Sequence, residues 1–138
     1  VTSLTLRKGR FAMPRTIFND GRNAMQVEFQ RFYAERLQPR VRAVSSRYGP
    51  ALGVTPSRIK VLDLKSRWGS CSNQENINIH WRCCMLPTPV LAYVVVHELV
   101  HMLIPDHSPR FWSELSSVMP EYKAHHEWLV EYGGSVSL

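Results

Sequence analysis

From Asp20 to Tyr48 the apolar positions Met25, Phe29, Phe32, Tyr33, Leu37, Val41, Val44 and Tyr48 recur at helical spacing. Gly49 and Pro50 then close the pattern. Pro39 falls inside it and predicts a kink or two abutting helices. The pattern changes at "SRIKVLDLKSRW", 57–68, whose β-branched and apolar residues predict a strand. "NINIHW", 76–81, alternates, with Ile77, Ile79 and Trp81 on one face and Asn76, Asn78 and His80 on the other. That is the pattern of a half-buried strand. The polar "GSCSNQE", 69–75, reads as a loop joining the two strands into a hairpin.

Three further helices are announced by prolines. Thr88 is the expected N-cap and Pro89 the first helical residue of a helix reaching about Ile104, where Pro105 ends it. Ser108 and Pro109 repeat the device for a helix to about Met119. A last helix follows Pro120 and fades at Gly133–Gly134. One helix, two strands and three helices make an α+β plan. At 138 residues the chain is expected to form one domain, with residues 1–19 a basic arm, strand or loose, and residues 20–138 the core. The chain begins without Met and is read as a fragment or a trimmed chain.

The helix from Thr88 carries an anomaly. Leu91, Val94, Val95, Val96, Leu99, Val100 and Leu103 make it apolar on nearly all sides, so it is expected to be buried. Yet "VVVHELVHML" places His97, Glu98 and His101 within it. Burying such groups is costly unless something satisfies them. His97 and His101 stand four residues apart and point the same way, so both imidazoles can reach one metal ion. Glu98 lies about 100° round the helix from His97, placed to touch a water beside that ion. This is the mechanical reading of H-E-x-x-H: two ligands and a general base. Catalytic zinc usually takes three protein ligands. His107 is the best third, because Pro105 breaks the helix and Asp106 turns the chain back. Glu121, Glu127, His125 and His126 compete with it, the last two reading as surface residues of a polar helix. The H-E-x-x-H-x5-H spacing equals that of the metzincins, but Ile104 stands where they have glycine, so membership does not follow.

Composition narrows the class. Apolar residues make up 44% and charged residues 20%, ordinary for a globular protein. No apolar run approaches the ~20 residues of a membrane helix, and the first residues, "VTSLTLRKGR", lack a signal-peptide core. Cys71, Cys83 and Cys84 are odd in number and form no C-x-x-C, which argues for a reducing, cytoplasmic compartment. The net charge is +6, weighted to the arginines of the first half, where a solvated helix face is the simpler reading and nucleic-acid contact the alternative.

The run from Lys65 to Leu129 contains "KSRWGSCS", "INIHWR", "VVVHELVH", "HSPRFW" and "MPEYK". In that order these resemble the signature region of the YgjP-like metallopeptidases, which are similar to the SprT-like zincins. Residues 1–20 carry no part of the resemblance. It implies a zincin-like fold, with a long N-terminal helix, a small antiparallel sheet or hairpin over the active-site helix, and two C-terminal helices. It implies one zinc ion per chain held by His97, His101 and His107, with Glu98 as base, acting on a peptide or unfolded protein through a zinc-bound water. A cleft strand, 58–68 or 76–81, would pair with extended substrate, with Arg67, Trp68, Gly69 and Ser70 near its end. Gly69 suits close backbone approach. Arg110 and Tyr122 are candidates for oxyanion stabilisation, and Asn76, Asn78 or backbone carbonyls for holding the imidazoles. Trp81 reads as core. The alternatives are a DNA-associated protease of the SprT-like kind and a metal-binding or nucleic-acid-associated module without catalysis.

Overall fold

The computed structural model describes residues 5–7, 10–12, 22–72 and 75–134. Within the arm, β1 (Thr5–Arg7) pairs antiparallel with β2 (Arg10–Ala12), and the rest of residues 1–19 lies outside the described residues. The first long element is α1 (Arg22–Leu52), one helix that runs through both Pro39 and Pro50. Of the two outcomes expected at Pro39, a kink or two abutting helices, the second does not occur, and the expected stop at Gly49 comes four residues late. Gly53, at φ 72°, ends α1 instead. Its N–H donates to the Pro50 carbonyl and that of Val54 to the Gly49 carbonyl, the paired bonds of a Schellman cap. The apolar face of α1 buries Phe32, Leu37 and Val41 as expected.

The sheet differs more. Its strands are β3 (Arg58–Leu62), β4 (Gly69–Ser72) and β5 (Asn76–His80), in the order β3-β5-β4. The predicted loop thus contains a strand, and the hairpin is β4–β5, antiparallel, with Gly69 opposite Ile79. β3 pairs with β5 in parallel, Ile59 opposite Ile77, so the expected antiparallel hairpin of 57–68 with 76–81 is not formed. β5 enters between the other two, which leaves β3 and β4 as the edges. Ile77 and Ile79 are fully buried as predicted, but His80, read as a polar-face residue, is also buried. Trp68 and Trp81 pack beside it, and its Nδ1 lies 3.4 Å from the Leu62 carbonyl. Trp81 is core as predicted, but as the first residue of a 3-10 turn, Trp81–Met85, not as a strand residue.

The remaining helices are α2 (Thr88–His101), α3 (Pro109–Val118) and α4 (Tyr122–Tyr132). Pro87, not Thr88, is the N-cap of α2. Ser108 and Pro109 open α3 as predicted. α2 is the axis of the molecule and packs against α1, β4, β5, α3 and α4. Val90, Leu91 and every residue from Tyr93 to Val100 are buried. Each apolar side chain so buried contributes about 1.5–3 kcal/mol. Leu103, grouped with that apolar set, lies past the end of α2 and is 40% exposed. The α+β plan stands, with a mixed sheet in place of the expected antiparallel one. No described helix is long and apolar enough to cross a membrane.

Candidate metal centre

Midway along the buried helix α2, His97 and Glu98 are each only 2% exposed, and His101 sits half-buried at the last turn. The chain leaves the helix through bonds from Leu103 and Ile104 N–H to the Val100 carbonyl. Asp106 then accepts from Ser108 N–H at 3.3 Å, folding the turn back between Pro105 and Pro109. Hydrogen bonding to Ser108, by its side chain first and its backbone N–H second, holds the exposed Asp106 carboxyl below its usual range. The result is that His107 Nε2 lies 3.1 Å from His101 Nε2 and 3.2 Å from His97 Nε2.

One Nε2–H on His107 can be directed at only one of the two nitrogens that face it, so without an ion the other contact sets lone pair against lone pair. His101 Nδ1 lies 3.0 Å from the Ile104 carbonyl and donates its proton there, which leaves Nε2 as a bare lone pair. His97 Nδ1 stands 3.3 Å from Glu98 Oε2 and frees its own Nε2 in the same way. Burial lowers both imidazole pKa values, that of His97 to about 3, so both remain neutral near pH 7. Ligands of a tetrahedral ion bound at ~2.1 Å stand ~3.4 Å apart. The observed spacings fit such an ion. No other group of three metal-ligating side chains lies this close among the described residues.

Glu98 faces the edge strand. A Cβ on Gly69 would fall 2.9 Å from Glu98 Cγ and Oε2. The glycine therefore admits the Glu98 side chain, whereas the expectation was close approach of a backbone. Burial pushes the Glu98 carboxyl up to about 7, moderated by His101, His107 and Arg67.

The other expected site residues divide. Arg67 is exposed but within electrostatic reach of Glu98. Ser70 belongs to β4, where its hydroxyl accepts from Asn78 Nδ2 at 3.2 Å, so Asn78 faces the strand and not the imidazoles. Trp68 lies in the core, its carbonyl accepting from His80 N–H. Arg110 is exposed in the first turn of α3, outside this cluster. Tyr122 stacks on Trp112 at 5.4 Å. Glu121 and Glu127 stay apart from the three imidazoles, as does half-buried His125, and so does His126, which is likewise half-buried and not on the open surface. Its Nδ1 shares a 2.8 Å hydrogen bond with the Tyr93 hydroxyl, whose ring meets His97 edge-on at 6.0 Å.

Sequence reasoning overlooked Phe111 and Trp112. Phe111, fully buried, lies beneath all three imidazoles at 4.6–5.1 Å. The proline-opened helix that directly follows His107 was the available signal, since its first turn has to face the site.

The profile of the YgjP-like, metallopeptidase domain family matches residues 7–132. This chain belongs to that family. The match reaches well upstream of Lys65, so the resemblance covers most of the first 20 residues too. Family and fold make the protein a metal-dependent peptidase. Its fold is similar to the crystal structure of the metallopeptidase zymogen abylysin of Pyrococcus abyssi, with TM-score 0.61 and 20% identity over 70% of this chain and 98% of that one. It is also similar to that of the zymogen jannalysin of Methanocaldococcus jannaschii, with TM-score 0.58 and 18% identity over 66% and 94%. Comparison with curated proteins finds no match.

Proposed function

We propose that this YgjP-like chain is a zinc peptidase in which His97, His101 and His107 hold the ion and Glu98 is the general base. The observation that carries the reading is the convergence of three Nε2 atoms within 3.1–3.2 Å of one another along two sides of the triangle, beside a buried carboxylate. Imidazole sets of this kind suit zinc. A bound zinc supplies Lewis acidity, which polarises the scissile carbonyl and makes water easier to deprotonate.

The chain's own groups do the rest. Glu98, whose carboxyl burial pushes up to about 7 in the metal-free chain, would accept a proton from the attacking water and return it to the leaving amine. The Gly69 backbone closes one side of the carboxylate. An extended peptide pairs along β4, the edge strand beside Glu98, and not along β5, which has partners on both sides. Arg67 supplies positive charge at the end of that strand. The substrate class is an extended peptide or an unstructured protein, and an odd number of cysteines with no C-x-x-C supports a cytoplasmic setting.

Replacing Glu98 by Gln tests the reading. Zinc content should stay at one ion per chain while hydrolysis of an unstructured protein falls by roughly 10²–10⁴. Equal hydrolysis by variant and wild type would remove Glu98 from the chemistry.

A further inference from the structure

His107 is the one imidazole of the three that no helix holds. It is exposed and sits in the turn between α2 and α3. The two prolines and the Asp106–Ser108 bond fix its backbone, but they leave the side-chain torsions free. His101 is oriented by its bond to the Ile104 carbonyl. His107 Nδ1 has no such protein partner among the described residues, so ring contacts alone orient it.

Those contacts run from ring to ring. The Trp112 indole stacks on the His107 ring at 5.9 Å and 23°, and Tyr122 in turn stacks on Trp112 at 5.4 Å and 19°. Phe111 meets His107 edge-on at 5.1 Å and 86°. Trp112 also meets Phe111 edge-on at 5.0 Å, which braces the indole from below. Two stacked plates and one perpendicular ring leave the imidazole little freedom to rotate Nε2 away from His97 and His101.

We propose that Trp112, backed by Tyr122 of α4, is the positioning residue for His107 and thereby sets the affinity of the metal centre. The inference rests on the ligand assignment made above, and it extends the site to α4, which supplies no ligand itself. It makes the docking of α4 a determinant of metal retention. Partners that orient ligating imidazoles typically change metal affinity by about 10–100-fold when removed. Trp112 lies partly exposed on α3, so its truncation leaves the core of buried Phe111 and Leu115 in place.

The test is chelator-competition titration of zinc into metal-free protein, with cobalt absorption spectra as a second readout. The proteins compared are wild type, His107→Ala, Trp112→Ala, Trp112→Phe and Tyr122→Leu. Wild type should bind one ion, and His107→Ala should weaken binding most. Trp112→Ala should weaken it about 10-fold or more and alter the cobalt spectrum. Trp112→Phe should recover part of the loss, and Tyr122→Leu should cost about threefold. Binding by Trp112→Ala within twofold of wild type, with His107→Ala impaired, overturns this inference and spares the ligand assignment. Wild type that binds no ion, or a His107→Ala variant with unchanged affinity, overturns the assignment and the inference together. Should Trp112→Ala fail to fold, unchanged affinity in both Trp112→Phe and Tyr122→Leu overturns the inference.

Discussion

Helix α2 and the turn 104–108 bring imidazoles to the same point by different means. On α2 the fold does the holding. His97 is 2% exposed, inside a helix whose apolar surface is buried on all sides, so its position is as firm as the core itself. In the turn, His107 is exposed, and its place depends on two prolines, one Asp106–Ser108 bond and the rings of Phe111 and Trp112. The difference teaches that global stability guarantees only part of such a site. On the proposed assignment, the helical imidazoles stay in place wherever the protein is folded, whereas the third can be lost while the fold survives. Metal occupancy is then the more fragile property.

The strongest way to erase the contrast is to remove the group common to both sides. Phe111 is fully buried under all three rings. Phe111→Ala should cost about 3–5 kcal/mol of unfolding free energy, measured by denaturant titration of the metal-free protein, and should abolish tight zinc binding. Separating the two sides is gentler. His97→Ala and His107→Ala should both impair zinc binding. In metal-free protein, however, His97→Ala should lose about 1–3 kcal/mol through its cavity and the abandoned Glu98 partner, while His107→Ala should stay within about 0.5 kcal/mol of wild type. Equal losses of stability would mean that the turn is as deeply built into the fold as the helix.

Gly69→Ala sharpens the contrast from the strand. The added methyl meets Glu98 Cγ and Oε2 at 2.9 Å, and a carboxylate this buried has little room to yield. Peptide hydrolysis should fall about tenfold, equivalent to ~1.4 kcal/mol in the barrier, with zinc affinity unchanged within about twofold. A change in zinc affinity of the same size would show β4 acting on the imidazoles.

The smallest effect is electrostatic. The Glu98 pKa is raised to about 7 from an ordinary carboxylate value, so between those values the folded chain holds a proton that the unfolded chain has released. In metal-free protein this residue's contribution to stability therefore declines as pH rises toward 7. Neutral Glu98 and Gln should be nearly equivalent at pH 5. At pH 8 the Glu98→Gln variant should exceed wild type by roughly 1–3 kcal/mol. His97, lowered to about 3, acts oppositely and costs stability as pH falls below ~6.5, in both proteins alike. A gain for Glu98→Gln that is equal at pH 5 and pH 8 would rule out the raised carboxyl.

Much of this was legible because local chemistry agreed with tertiary structure. Pro109 and Ser108 opened a helix where they should, and the apolar surface of α2 announced its burial before any packing was known. Pro39 does not split α1 in two because burying Leu37 and Val41 gains enough to absorb one missing hydrogen bond. β4 was invisible because "GSCS" has no β-branched residue, and only its pairing with β5 makes it a strand. The parallel pairing of β3 with β5 follows from that insertion. Within the site, His97, Glu98, His101 and His107 are close in sequence and could be read from spacing. The contacts of Trp112 with Tyr122 on α4, and of Tyr93 with His126, join helices that only the fold brings together.

The central claim is that the buried helix and the exposed turn complete one metal centre. Its most direct test is a zinc-edge anomalous crystal structure of the wild-type protein. The account predicts one ion per chain, with the Nε2 atoms of His97, His101 and His107 each at about 2.0–2.1 Å. An ion held by His97 and His101 while His107 points away, or held instead by Glu121, Glu127 or His126, would contradict it.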